Sequence, residues 1–136
     1  MVDDASPSAI PRALREFALL ALAQAQRGVV SGGPLVPFSM IDTGAQRDLT
    51  RFPGDAEAGL DAARSLVRDA PSWQYAAVAW DAPFEGGDTP RAVYVEAAER
   101  GFARSVVLAQ GYGRRLLHRH GAIGSVTFVG FGAPLP

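Results

Sequence analysis

The stretch 73-WQYAAVAW-80 is apolar on both of the faces that alternate along an extended chain, and Gln74 is its single polar residue. An apolar pattern on both faces is typical of a strand at the centre of a sheet, where each face is covered by other elements. Ala-Pro-Ser ends just before this stretch, and Asp81 follows it. We therefore expect a sheet in the middle of the fold, with cover on both of its faces.

Outward from this strand, the sequence predicts two helices and further strands. The helices are expected at about Ile10–Gln26 and Asp55–Ala70, the first ending at Gly28 and the second at Pro71. The further strands are expected at Leu35–Asp42, about Asp48–Phe52, Arg91–Ala98, Arg104–Ala109 and Ile123–Phe131. The fold class is therefore α+β: a single mostly antiparallel sheet of five to six strands with two helices, in the order α-β-β-α-β-β-β and in two or three layers. Residues 1–9 are expected to be a disordered N-terminal tail and residues 10–136 a single domain.

The first helix is more apolar than a surface helix needs to be. One stripe at helical spacing predicts its buried face: Leu14, Phe17, Ala18, Ala21 and Ala25. Leu19, Leu20 and Leu22 extend the apolar surface almost around the helix. This pattern favours burial on more than one side, either in a central position or at a subunit interface, so a homodimer is expected.

Composition excludes several classes of chemistry. The chain has 136 residues and no cysteine, which excludes disulfides, thiolate metal sites and a cysteine nucleophile. Lysine is also absent, which excludes Schiff-base chemistry and a phosphate-loop lysine. Phe17–Ala23 resembles a short signal-peptide core, but the residues before it are not net positive. No apolar run has the length of a membrane span. We expect a cytoplasmic protein with no cofactor, no metal and no membrane partner.

Charge is divided unequally along the chain. Residues 1–99 contain all 14 acids and eight arginines, whereas residues 100–136 contain five arginines, both histidines and no acid. Such asymmetry is typical of an anion-binding surface, or of a segment that pairs with acids elsewhere in its own domain. The net charge of −1 and the lack of a helix with a basic face argue against binding to double-stranded DNA.

The densest candidate for binding is the segment 111-GYGRRLLHRHG-121. The arginines would supply forked donors for phosphate or carboxylate, and the tyrosine a stacking face. The candidate anion-binding residues are Tyr112, Arg114, Arg115, His118, Arg119 and His120. The alternative is a solvated hairpin end whose arginines pair with the acids of the same chain. The two histidines share one side if the segment is a strand, but nothing in the sequence supplies a third metal ligand.

Three carboxylates interrupt apolar patterns and are candidate acids or bases: Asp42, Asp81 and Glu96. We favour structural roles, with Asp42 and Asp81 as turn caps and Glu96 as the cross-strand partner of Arg104. No serine nucleophile motif or dinucleotide fingerprint is present. The expected function is therefore a non-catalytic interaction or small-ligand-binding module that acts as a homodimer. The alternative is an enzyme or sensor that acts on a small anionic substrate through residues 111–121.

Overall fold

A computed structural model describes residues 10–30, 35–83, 91–114, 120–122 and 126–132. In chain order, the elements are α1 (Arg12–Val30), β1 (Phe38–Asp42), β2 (Arg47–Arg51), α2 (Ala56–Asp69), β3 (Tyr75–Pro83), β4 (Arg91–Glu99), β5 (Ser105–Arg114), β6 (His120–Ala122) and β7 (Thr127–Gly132). This arrangement confirms the predicted α+β class. The expected tail at residues 1–9 lies outside the described residues.

The strands form one antiparallel sheet in the order β2-β1-β3-β4-β5-β6, and β7 pairs with β5 beside β6. The apolar stretch that suggested a central strand is β3, which pairs with β1 on one side and with β4 on the other. Its register with β4 runs from Tyr75 opposite Glu99 to Pro83 opposite Arg91. The long β3–β4–β5 ladder therefore fixes which side chains share each face of the sheet.

Helix α1 covers the first face of the sheet, which carries the odd-numbered side chains of β3. Leu14, Ala18, Ala21, Leu22 and Ala25 of α1 are all at most 1% exposed. They belong to one core cluster with the alternate residues Ala77 and Ala79 of β3, Val93, Val95 and Ala97 of β4, and Val106 and Leu108 of β5. The predicted buried stripe of the first helix is thus confirmed.

Helix α2 covers the second face, mainly over β1 and β3. Ala63 and Val67 pack there against Ala76 and Val78, the side chains that alternate with those facing α1. The helix begins after Asp55, whose carboxylate accepts a hydrogen bond of 2.9 Å from the backbone N–H three residues later. With one helix on each face, the domain has three layers, as the two-sided pattern of β3 requires.

Helix α1 differs from expectation in where it ends and in how much of its apolar surface is buried. It continues through Gly28 to Val30, because Gly28 leaves room for Leu35: a Cβ at this glycine would lie 2.7 Å from Leu35 Cδ1. The prediction that Gly28 ends the helix was wrong. Leu22 is buried, but Leu19 is 42% exposed. Within the described part of the chain, no helix has both the length and the apolar character to cross a membrane.

The C-terminal strands also differ from expectation. Strand β5 extends to Arg114, five residues beyond its predicted end, and the short strand β6 was not predicted. The final strand starts at Thr127 rather than Ile123. The predicted strand ended at Ala109, before Gly111 and Gly113, but both glycines lie within β5, where cross-strand pairing with β4 and β6 outweighs the low strand propensity of glycine.

Candidate functional site

The predicted anion-binding segment is partly a β-hairpin. Residues 111–114 form the end of β5 and residues 120–122 form β6, so that Arg114 and His120 are directly opposed in the backbone pairing. Arg115, His118 and Arg119 lie outside the described residues. The structure thus brings two of the six candidate positions together across a strand pair, and a convergence of all six remains a prediction.

Tyr112 is the candidate whose side-chain environment is described. It is 6% exposed, lies in the core cluster beneath α1, and donates a hydrogen bond from its hydroxyl to the carboxylate of Asp81. A ring buried to this extent is not available as the stacking surface that the sequence suggested. Its position instead links the anion-binding candidates to one of the three carboxylates that the sequence singled out.

Asp81 is the centre of a polar cluster at the end of β3. Its side chain is only 5% exposed, and Oδ1 accepts a hydrogen bond of 2.7 Å from Arg91 Nε. Oδ2 accepts from the Tyr112 hydroxyl and, at 3.2 Å, from the backbone N–H of Leu35. The three donors come from β4, β5 and the segment that follows α1. Asp81 therefore joins four parts of the chain, and its predicted role as a turn cap was wrong because β3 continues past it to Pro83.

The electrostatics of this cluster favour its present protonation state. The hydrogen bond to Asp81 is the main cause that raises the pKa of the Arg91 guanidinium. Burial, followed by the hydrogen bond to Asp81, raises the pKa of Tyr112 to about 12. Tyr112 therefore stays protonated as a donor at physiological pH, and both oxygens of Asp81 are engaged. This arrangement suits a structural link between strands better than proton transfer.

The other two carboxylates also have structural partners. Asp42 caps the predicted turn, as expected: Oδ1 accepts a 2.7 Å hydrogen bond from the N–H of Gly44, and Oδ2 pairs with Arg47 at 3.0 Å. Glu96 is 8% exposed and pairs through Oε1 with Arg64 of α2 at 2.9 Å. Its Oε2 accepts a 2.5 Å hydrogen bond from the hydroxyl of Ser105.

Arg104 is not the partner that Glu96 was predicted to have. Strand β4 ends at Glu99 and β5 begins at Ser105, and the register across this connection places Glu96 opposite Val107. The guanidinium carbon of Arg104 instead lies 4.0 Å from the centroid of the Phe131 ring. The Arg64–Glu96 pair was not predicted, because the two residues are 32 positions apart and no local pattern shows which helical arginine faces a buried strand residue.

The second face of the sheet is less completely covered toward β5 and β7. Val107 of β5 is partly exposed, and a β-bulge leaves Val129 of β7 between Gly130 and Phe128, the residues that pair with Val107 and Leu108. Val129 is 51% exposed, and Val126, just before β7, is 40% exposed. We call Val107 and Val129 the valine patch; Val126 precedes the first paired residue of β7, so the register does not place it on this face.

Charge on this side of the sheet is low. The second-face positions of β4, β5 and β7 are Ala92, Tyr94, Glu96, Ala98, Ser105, Val107, Ala109, Gly111, Thr127, Gly130 and Gly132. Glu96 is the one ionisable carboxylate in this set, and its charge is paired with Arg64. The second-face positions around the valine patch are therefore neutral, apart from Glu96, whose negative charge is neutralised by Arg64.

Comparison with protein-family models, curated proteins and solved structures gave no match. Within the part of the chain that the structure describes, no group of three or more histidine or acidic side chains is placed to hold a metal ion. The function therefore has to be inferred from the surfaces and clusters of this chain itself.

Proposed function

We propose that the chain is a non-catalytic interaction module that acts as a homodimer, and that the valine patch is the surface through which two copies associate. The observation that carries the proposal is the partial cover of the second sheet face. Helix α2 packs over β1 and β3, whereas Val129 on β7 remains 51% exposed beside the partly exposed Val107.

A second copy of the chain is a suitable occupant because a two-fold interface brings each surface against itself. A surface with unpaired charge of one sign would then repel its own copy. The second face avoids this cost, since Glu96 and Arg64 neutralise each other and the remaining second-face positions of β4, β5 and β7 are uncharged. Association would bury the valines at a gain that is roughly proportional to their apolar area.

The enzymatic alternative receives less support. It needs a carboxylate that is free to exchange protons, together with cations from residues 111–121. Asp81 is the carboxylate closest to that segment, but its oxygens accept from Arg91, Leu35 and Tyr112. We also propose a cytoplasmic location, which is inferred from the sequence alone.

Sedimentation velocity over a concentration series tests the homodimer. We expect a dimer with a dissociation constant below about 100 µM, which corresponds to more than about 5 kcal/mol of association free energy. Val129→Asp should convert it to a monomer, because each interface would then bury an unpaired charge. Because Val129 is half exposed, the monomeric variant should keep the far-UV circular dichroism of the native chain.

Leu19→Asp is the matched control, because Leu19 is similarly exposed but lies on α1, which covers the opposite face of the sheet. It should leave the dimer intact. A native chain that is still monomeric at about 500 µM, well above the expected dissociation constant, would refute the homodimer. A dimer that Leu19→Asp disrupts and Val129→Asp does not would instead place the interface on α1 and refute the valine patch.

A further inference from the structure

A cleft on the other side of the molecule has charges of both signs on its walls. It lies between the N-terminal half of α1 and the β1–β2 hairpin, and its volume is about 350 Å³. Its lining residues come from α1, β2 and β3: Ala13, Glu16, Phe17, Leu20, Arg47 and Tyr75. Sites for small molecules commonly have volumes of about 300–1,000 Å³, so the cleft is large enough for a ligand the size of an amino acid.

The apolar surface of the cleft that a ligand can reach is formed by Tyr75 and Leu20, because Phe17 is only 5% exposed. Phe17 and Tyr75 stack with centroids 5.2 Å apart and an interplanar angle of 24°. Leu20, one turn further along α1, is partly exposed beside them. An aromatic or large aliphatic group placed here would remove apolar surface from water without any rearrangement of the core.

The polar part of the cleft has one cation and one anion, each with unused capacity. Arg47 binds Asp42 Oδ2 through Nε and Nη2, and no described residue occupies its Nη1. Glu16 accepts from Arg12 through Oε1, which leaves Oε2 without a partner among the described residues. The Arg12–Glu16 pair is solvent-exposed, so a ligand can replace it at little cost. Arg47 is 48% exposed but Asp42 only 15%, so a ligand would share Arg47 with Asp42 rather than displace it.

The two charged side chains lie on different walls of the cleft, and this arrangement determines which ligands the cleft can bind. Glu16 belongs to the helical wall of the cleft, whereas Arg47 belongs to the strand wall and lies over the Phe17 ring at 5.8 Å. A ligand that is only an anion would be repelled by Glu16, and a ligand that is only a cation would be repelled by Arg47. A ligand with both charges and an apolar side chain satisfies all three parts.

We propose that this cleft binds a small zwitterion with an aromatic or large aliphatic side chain, that is, an apolar α-amino acid. Its carboxylate is held by Arg47, its ammonium group by Glu16, and its side chain packs on the partly exposed Leu20 and Tyr75. The proposal is independent of the homodimer, because the cleft lies on α1, β2 and β3 while the valine patch lies on β5 and β7.

Ligand-observed NMR and calorimetry with three probes test this proposal. L-phenylalanine has both charges, phenylacetate has only the anion, and phenethylamine has only the cation. We expect saturable binding of L-phenylalanine. The other two probes should bind more weakly, by a factor of up to about five, because each exposed charge contact contributes up to roughly that factor. Equal binding of all three probes would show apolar contact alone and would overturn the proposal.

Variants assign the binding to the cleft. Arg47→Gln and Glu16→Gln should each lower the affinity for L-phenylalanine by about fivefold. The matched controls are Arg51→Gln, on the same strand as Arg47, and Glu57→Gln, which is exposed on α2; both should bind like the native chain. Absence of saturation at about 20 mM, a concentration well above a millimolar dissociation constant, overturns the proposal, as does unchanged affinity in Arg47→Gln.

The two proposals fail separately. Val129→Asp should bind L-phenylalanine with unchanged affinity whether or not the native chain is a dimer. A loss of binding in that variant, with its fold intact, would show that the cleft depends on dimerisation and would contradict its assignment to α1, β2 and β3 alone.

Discussion

Tyr112→Phe isolates one hydrogen bond in the Asp81 cluster and gives a quantitative test of its role. The substitution removes only the hydroxyl that donates to Asp81, while Arg91 and the Leu35 N–H remain as donors to the same carboxylate. A hydrogen bond to a charged group contributes about 1.5–3 kcal/mol, so we expect the free energy of unfolding to fall by about 2 kcal/mol. Equilibrium unfolding in urea, followed by tryptophan fluorescence, measures this change.

Asp81→Ala should lower the free energy of unfolding further, because it removes the carboxylate that accepts from Tyr112, Arg91 and the Leu35 N–H together. Loss of one partner of a buried charged pair costs about 3–5 kcal/mol, and the half-exposed Arg91 places the expected value near the lower end. The double variant should show a coupling of about 2 kcal/mol between Asp81 and Tyr112. Additive single effects would contradict the hydrogen bond as the source of both losses.

Alkaline pH provides a second measurement of the same contact. The pKa of Tyr112 is raised to about 12 in the folded protein, above the ordinary value of 10. Folding therefore favours the protonated phenol, and its contribution is fully present below pH 10 and is lost as pH rises through 12. The stability difference between the native chain and Tyr112→Phe should shrink from about 2 kcal/mol at pH 9 to near zero at pH 12. A difference that stays constant over this range, or a Tyr112→Phe variant within about 0.5 kcal/mol of the native chain at pH 8, would refute the reasoning.

Three further substitutions test the packing that surrounds these sites, each by thermal or urea unfolding. Gly132→Ala should lower stability by about 2–3 kcal/mol, because its Cβ would lie 2.6 Å from both Glu96 Oε2 and Ser105 Oγ; a neutral result would mean that β7 shifts freely. Arg64→Met should cost about 2 kcal/mol by leaving the Glu96 carboxylate without its cation, and adding Glu96→Gln should restore part of the loss; no recovery would argue against the ion pair. Asp55→Ala should cost about 1 kcal/mol through loss of the N-cap of α2, and a change below about 0.3 kcal/mol would contradict that role.

The architecture was predictable because its strongest signals are periodic. The two-sided apolar pattern of β3 predicted cover on both faces, and α1 and α2 provide it. The stripe of α1 repeats at helical spacing, so the buried face of this helix followed directly. Boundaries were less predictable where tertiary contact decided them. Gly28 continues α1 because Leu35 packs against it, and no local preference of glycine indicates that contact.

The polar clusters were only partly predictable, because they depend on register. Asp81 was recognisable as a carboxylate that interrupts an apolar strand, but its partners Arg91 and Tyr112 are 10 and 31 residues away. Those two residues face each other directly across β4 and β5. A small shift in the assumed β4–β5 register was enough to assign Arg104 to Glu96 instead of Arg64 and Ser105. Short-range patterns determine faces, whereas long-range pairing determines partners.

The uneven charge of the chain has a structural counterpart in the contacts of individual arginines. The ion pairs formed by Asp42, Asp81 and Glu96 each join an acid to an arginine within residues 1–99. In the basic C-terminal part, Arg100 donates from Nε to the backbone carbonyl of Trp73, and Arg104 lies on the Phe131 ring. These contacts are made with a carbonyl dipole and an aromatic face rather than with an acid of residues 1–99. Arg100 and Arg104 precede β5, whereas Arg114 lies at the far end of this strand, opposite His120 of β6. The positive field expected near the β5–β6 hairpin therefore comes from the arginines of residues 111–121. An anion that approaches the β5–β6 hairpin would meet this field, so titration with inorganic phosphate, followed by the amide chemical shifts of β5 and β6, should perturb this hairpin more than β2 at the opposite edge. Equal perturbation of both edges would show that the charge division of the sequence has no local consequence.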